Sequence, residues 1–117
     1  MNTVKINGEH FHYTLDGKSD APVLMLSNSL GTRQTMWSAQ VDALRQSFRV
    51  LTYDTRGHGA LTSPPGPYTL ELLGTDVTHL LDHLDISSVL FCGISMGGII
   101  GQWLAVHAPQ RVTKLVI

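Results

Sequence analysis

Gly93-Ile94-Ser95-Met96-Gly97 sets one hydroxyl between two glycines. A short apolar run, Val89-Leu90-Phe91-Cys92, precedes it, and a glycine-rich helical pattern follows. A serine on such a strand-to-helix bend stands clear of the sheet over the N-terminus of the next helix. That position suits attack on an acyl carbon, but a hydroxyl alone is a poor nucleophile. It needs a histidine to take its proton and an acid to orient that histidine. In this arrangement both partners follow the serine, acid before histidine. Residues 96–117 hold no acidic side chain and one histidine, His107. The acid and base of a triad are therefore expected outside this chain.

Acyl transfer gathers negative charge on the carbonyl oxygen, which must meet fixed N–H donors. One donor is expected from the residue after the nucleophile, Met96. The other is expected from the loop Ser27-Asn28-Ser29-Leu30-Gly31, which follows an earlier central strand. Ser29 is the first choice there and Leu30 the alternative.

Two rival readings of the glycines fail on particular residues. Gly93-Ile94-Ser95-Met96-Gly97-Gly98 nearly fits a dinucleotide fingerprint. Ser95, however, occupies the position where bare backbone must approach a pyrophosphate, and the acid about twenty residues further on is lacking. A phosphate loop fails as well: Gly17-Lys18-Ser19 lacks the glycine required five residues earlier, where His12 stands.

Nor do the histidines complete a site. His107 lies roughly 18 Å along the helix that begins at the bend, at about 1.5 Å per residue. His58 sits in the loop Asp54–Gly59, at the carboxyl end of its strand and near the site, where a base role is a minor alternative; Arg56 can pair locally with Asp54. His10 with His12, and His79 with His83, have metal-compatible spacing but no evident third ligand, so no metal is expected.

These groups require a scaffold. Val4-Lys5-Ile6 and a segment around Phe11–Leu15 read as a hairpin across Asn7-Gly8. Asp16–Asp20 reads as a polar turn. Val23–Leu26, Val50–Tyr53, Val89–Cys92 and Lys114–Ile117 are apolar runs suited to buried parallel strands. Between them, Met36 to about Phe48 carries Trp37, Val41, Leu44 and Phe48 on one helical face, and Thr69–Leu84 carries a longer stripe. Residues 54–67 are rich in Gly and Pro and read as loop. A third helix, Met96 to about Ala108, ends before Pro109. The alternation predicts an α/β fold: a mostly parallel sheet with helices on both faces and an antiparallel N-terminal hairpin.

At 117 residues the chain is at most one domain. A net charge of -1 gives no electrostatic case for nucleic acid or an anionic membrane. No apolar run approaches the length of a membrane span, and the N-terminus lacks the pattern of a signal peptide. The single cysteine, Cys92, excludes an internal disulfide and reads as a small buried hydrophobe. A cytoplasmic location is the expectation.

The chain resembles the N-terminal part of α/β-hydrolases, and more narrowly the bacterial 3-oxoadipate enol-lactonases of the β-ketoadipate pathway. The likeness is carried by Leu26-Ser27-Asn28-Ser29-Leu30-Gly31-Thr32, Met36-Trp37, Tyr53-Asp54-Thr55-Arg56-Gly57-His58-Gly59, Pro64–Thr69, Cys92–Gly98 and Gly101–Leu104. Ser-Asn-Ser-Leu-Gly is the narrowest of these signatures. The resemblance implies a protein about twice this length, with a helical cap and no metal or cofactor. It implies Ser95 as nucleophile, with Met96 and Ser29 as oxyanion donors, and a small carboxylated lactone as substrate. Arg33, just past the oxyanion loop, is then a candidate to face the substrate's carboxylate. Another esterase or a cofactor-free haloperoxidase on the same scaffold is the nearest alternative. A second expectation, of another class, is that residues 1–117 are one piece of an α/β-hydrolase core. Such a piece would be inactive alone and would associate with its missing C-terminal half or with another copy through its last apolar strand.

Overall fold

The computed structural model of the chain describes residues 2–6, 8–28, 34–54 and 69–117. Strands β1 (Asn2–Ile6) and β2 (Glu9–Gly17) form the expected hairpin, with Ile6 opposite Glu9. Gly8 sits at φ +84, a value that suits glycine in a two-residue turn; its neighbour Asn7 lies outside the described residues. Asp16 and Gly17, expected in a turn, instead complete β2 opposite Val50 and Arg49. Gly17 has φ +106, and a side chain there would strike the carbonyls of Phe48 and Arg45.

The remaining strands are β3 (Val23–Ser27), β4 (Arg49–Tyr53), β5 (Val89–Gly93) and β6 (Val112–Val116). The six make one sheet in the order β1-β2-β4-β3-β5-β6. Pairings from β4 through β6 are parallel, whereas β2 meets both β1 and β4 antiparallel. The carboxyl ends of β3, β4 and β5 therefore lie side by side along one rim, where open α/β sheets place their ligands.

Side-chain alternation along the strands divides the core in two. Met25, Leu51, Tyr53 and Phe91 face one way and pack with Val77, Leu80 and Leu81 of α2 (Leu70–His83) and Ile100 and Leu104 of α3 (Met96–His107). Leu26 and Val50 face the other way and pack with Trp37, Val41 and Leu44 of the connection from β3 to β4.

That connection differs from the single helix expected over residues 36–48. It is a 3-10 turn, Gln34–Trp37, followed by a short helix α1, Ser38–Leu44. The N–H groups of Ser47 and Phe48 both bond to the Leu44 carbonyl, closing the helix early and returning the chain to β4. Phe48 still reaches the same apolar cluster, from the turn rather than from the helix.

The expected stripe of α2 is buried at Leu73, Val77, Leu80 and Leu81, while Leu70 is exposed. Thr69 caps the helix as its type predicts, its hydroxyl accepting from Leu72 N–H at 3.0 Å. A side chain at Gly74 would collide with the Trp103 ring, so this glycine sets how closely α2 and α3 approach. Strand β6 begins two residues earlier than the sequence predicts. Its start is tied down by Arg111, whose guanidinium donates to the carbonyls of Ser87 (2.7 Å) and Ile86 (2.8 Å) and to Asp82 Oδ1 (2.8 Å). Among the described residues, no helix is long and apolar enough to cross a membrane.

Candidate active site

Strand β5 ends at Gly93, and α3 begins at Met96. The chain must reverse within two residues, and Ser95 carries the cost. Its backbone sits at φ 54 and ψ -113, a region that side-chain-bearing residues rarely adopt. The side chain is exposed at the head of α3, above the rim shared by β3, β4 and β5. Both flanking glycines are required by close approach. A Cβ on Gly93 would overlap the backbone of Gly97 and Gly98, and one on Gly97 would overlap the backbone of Ser27.

Backbone hydrogen bonds fasten this bend to the end of β3. Ile94 N–H donates to the Ser27 carbonyl at 3.2 Å, and Gly97 N–H donates to the Asn28 carbonyl at 3.0 Å. Ser95 lies between these two anchors. Gly97 N–H also reaches the Ile94 carbonyl, and Ile99 N–H takes the Ser95 carbonyl. Met96 N–H enters no such bond among the described residues. It is therefore available as a donor beside the Ser95 hydroxyl, at the positive end of the helix.

Below the end of β3 lies a buried polar cluster. Ser27 and Asn28 are fully buried. The Ser27 hydroxyl shares a hydrogen bond of 2.8 Å with the Tyr53 hydroxyl. Asn28 Oδ1 accepts from the Trp37 indole N–H at 2.8 Å, and Asn28 Nδ2 donates to the Tyr53 carbonyl at 3.4 Å. Ser29, Leu30 and Arg33 lie outside the described residues, as do Arg56 and His58.

The other histidines are distributed much as their sequence positions suggest. His107 is at the far end of α3, its ring stacked on Trp103 with centroids 4.5 Å apart and Nδ1 3.0 Å from the Trp103 carbonyl oxygen. It does not come to Ser95. His79, His83 and His10 are exposed. His12 does something the sequence did not announce: the β2–β4 register sets it opposite Asp54, with Nδ1 3.7 Å from the carboxylate. No group of three potential metal ligands occurs among the described residues. Cys92 is half-buried rather than fully buried, and burial pushes its thiol pKa up.

The alpha/beta hydrolase fold family model matches residues 12–117. The chain belongs to this family. Over 106 residues, 91% of its length, it is 51% identical to 3-oxoadipate enol-lactonase 2 of Acinetobacter baylyi, covering 40% of that protein. A relative from Stutzerimonas stutzeri, named provisionally as the carbamate hydrolase RutD, is 38% identical over 90% of this chain and 41% of its own. Among solved structures, the enol-lactonase from Burkholderia xenovorans LB400 superposes with a TM-score of 0.94 at 48% identity, over 97% of this chain and 45% of that one. The chain thus spans about 40% of the length of the curated relatives it matches.

The described residues supply the strained serine, the helix beneath it, one backbone N–H without a partner among them and the end of β3 beside the bend. The residue that sequence reasoning overlooked is Asn28. It appeared only as part of a loop motif, and its hydrogen-bond partners are far away in sequence. Its one signal was its type: an amide in place of an apolar residue, directly after a buried strand.

Proposed function

We propose that the whole protein opens a carboxylated enol-lactone of the 3-oxoadipate type through a serine acyl-enzyme. Ser95 Oγ attacks the ring carbonyl carbon, and the oxyanion that forms is met by Met96 N–H and by the N–H of Ser29, with Leu30 as the alternative. Collapse of the tetrahedral species breaks the ring C–O bond. The enol oxygen leaves with the proton that Ser95 gave up on attack, carried by a histidine elsewhere in the whole protein, and the product side relaxes to a ketone. Water, deprotonated by a histidine elsewhere in the whole protein, then cleaves the acyl-enzyme and frees the second carboxylate. In this reading Arg33 faces the substrate's existing carboxylate.

The observation that carries the proposal is the backbone of Ser95. A non-glycine residue at φ 54 and ψ -113, exposed and anchored on both sides to the end of β3, is the kind of held, unfavourable backbone that clusters at active sites. The choice of substrate rests on the 51% identity to an enol-lactonase. Ser95→Ala in the whole protein tests the mechanism. Turnover is expected to vanish while the fold persists, and unchanged turnover rules the serine mechanism out.

A carbamate is the second substrate reading, supported by the relative at 38% identity. It uses the same attack with a different leaving group. An esterase or haloperoxidase-like activity is a third. A panel of enol-lactone, carbamate and simple esters separates them, the lactone being expected to lead in kcat/KM.

The setting we infer is cytoplasmic, with a small molecule as the reacting partner. Val116, the last residue of the outer strand β6, and Ile117 just after it are 60% and 66% exposed. Through that edge the chain is expected to pair with the remainder of the whole protein or with another copy. A stable monomer of 12.8 kDa for the isolated chain would contradict this.

A further inference from the structure

We infer that Asn28 is the positioning residue of the oxyanion site, acting together with Trp37. The inference rests on the serine mechanism proposed above and assigns a role within it. Asn28 is fully buried and every one of its polar groups named here is directed at a different structural element. Its carbonyl accepts from Gly97 N–H, in the first turn of α3. Its Oδ1 accepts from Trp37 Nε1, in the 3-10 turn before α1. Its Nδ2 donates to the Tyr53 carbonyl at the end of β4. One residue thus joins the serine's helix, strand β4 and the 3-10 turn before α1.

The placement matters because the Asn28 carbonyl holds Gly97 N–H, one residue after the Met96 N–H that is to meet the oxyanion. The side-chain bonds to Trp37 and Tyr53 fix the orientation of Asn28 and hence of that carbonyl, so the side chain sets where Met96 N–H stands relative to Ser95. Misplacement by about 1 Å can cost on the order of 100-fold in rate. The indole is the partner that holds the amide in one orientation. Oδ1 must face Trp37, and Nδ2 must then face Tyr53, because an indole N–H only donates and a carbonyl only accepts.

Three variants in the whole protein test this: Asn28→Ala, Trp37→Phe and Ser95→Ala. Asn28→Ala and Trp37→Phe are assayed for kcat and KM on the lactone and for inhibition by a trifluoromethyl ketone, whose adduct with Ser95 Oγ mimics the tetrahedral oxyanion; Ser95→Ala is assayed for turnover alone. Asn28→Ala is expected to lower kcat by roughly 10- to 100-fold with KM nearly unchanged. It should weaken the ketone's Ki by a similar factor. Trp37→Phe, which removes the donor together with part of the indole, should show the same pattern at smaller size. Ki does not depend on the fraction of active molecules, so a merely structural role would lower kcat and leave Ki alone. That result overturns the inference, as do unchanged kcat and Ki in both variants. Should Asn28→Ala fail to fold, Trp37→Phe decides by the same criteria. Loss of turnover in Ser95→Ala with no effect of the other two overturns the positioning role alone. Retained turnover in Ser95→Ala overturns the serine mechanism and this role with it.

Discussion

Two chain segments meet under the candidate nucleophile, and they are held by opposite means. The bend between β5 and α3 is shaped by missing side chains: Gly93 and Gly97 are glycine because backbone occupies the space a Cβ would need. The end of β3 is shaped by side chains that are present: Ser27, Asn28, Tyr53 and Trp37 form buried hydrogen bonds across three elements. The first kind of constraint is steric and all-or-none. The second is a set of bonds that can be removed one at a time. The bend should therefore fail abruptly, and the strand end by degrees.

The largest effect is expected on the bend, at Ser95 itself. Removing a triad nucleophile lowers turnover by about 10⁴-fold or more. Its effect on stability should have the opposite sign when the replacement is glycine. Ser95→Gly relieves a backbone conformation that costs of order 1 kcal/mol for a residue bearing a side chain. Chemical denaturation should show it more stable than the parent and inactive. A less stable Ser95→Gly would mean that the bend is not strained.

Gly97→Ala comes next. The added methyl must displace the Ser27 backbone, which is hydrogen-bonded in the sheet and to Ile94 N–H. Overpacking against backbone costs about 3 kcal/mol or prevents folding. A change under about 0.5 kcal/mol, the range of an ordinary surface substitution, would remove the steric account.

The two segments also differ in how readable they were. Gly93-x-Ser95-x-Gly97 announced the bend because steric demands are met by residue type at fixed local spacing. The strands and α2 were equally plain, since apolar periodicity reports burial directly. Asn28 was missed because its bonds span nine residues to Trp37 and twenty-five to Tyr53, and nothing local encodes such a partner. The pairing of His12 with Asp54 was missed for the same reason: it follows from the β2–β4 register, which sets Tyr13 opposite Tyr53. The expected helix over 36–48 was too long because Phe48 continues the helical spacing by packing from a turn. Periodicity reports which residues share a face, not whether the backbone between them remains helical.

A graded loss at the strand end is the third expectation. Trp37→Phe keeps a smaller aromatic ring in the apolar cluster with Leu26 and Val50 but leaves Asn28 Oδ1 without its donor. An unsatisfied buried acceptor costs about 1–3 kcal/mol. Unfolding free energy from denaturant titration should fall by at least that amount with an unchanged m-value. No loss would show that the amide had found another donor.

The smallest effect separates the faces of the strand that feeds the bend. Cys92 points toward the Leu26–Val50–Trp37 cluster, whereas its neighbours Phe91 and Gly93 turn toward α2 and α3. Burial raises its thiol pKa, because the thiolate would lose hydration that the apolar cluster cannot replace. The neutral form is thus favoured in the folded chain. A group of this kind contributes its full stability below its unfolded pKa and loses it as pH rises toward the folded value. Two outcomes follow. Alkylation of Cys92 by iodoacetamide should be slower than that of a free thiol at the same pH, and should speed up on denaturation. Stability should decline on the alkaline side in the parent, and the Cys92→Ala variant should lack that part of the decline. Alkylation as fast as a free thiol's would place Cys92 in water, and the β3–β4 face over the bend would then be more open than the hydrogen-bonded end of β3 requires.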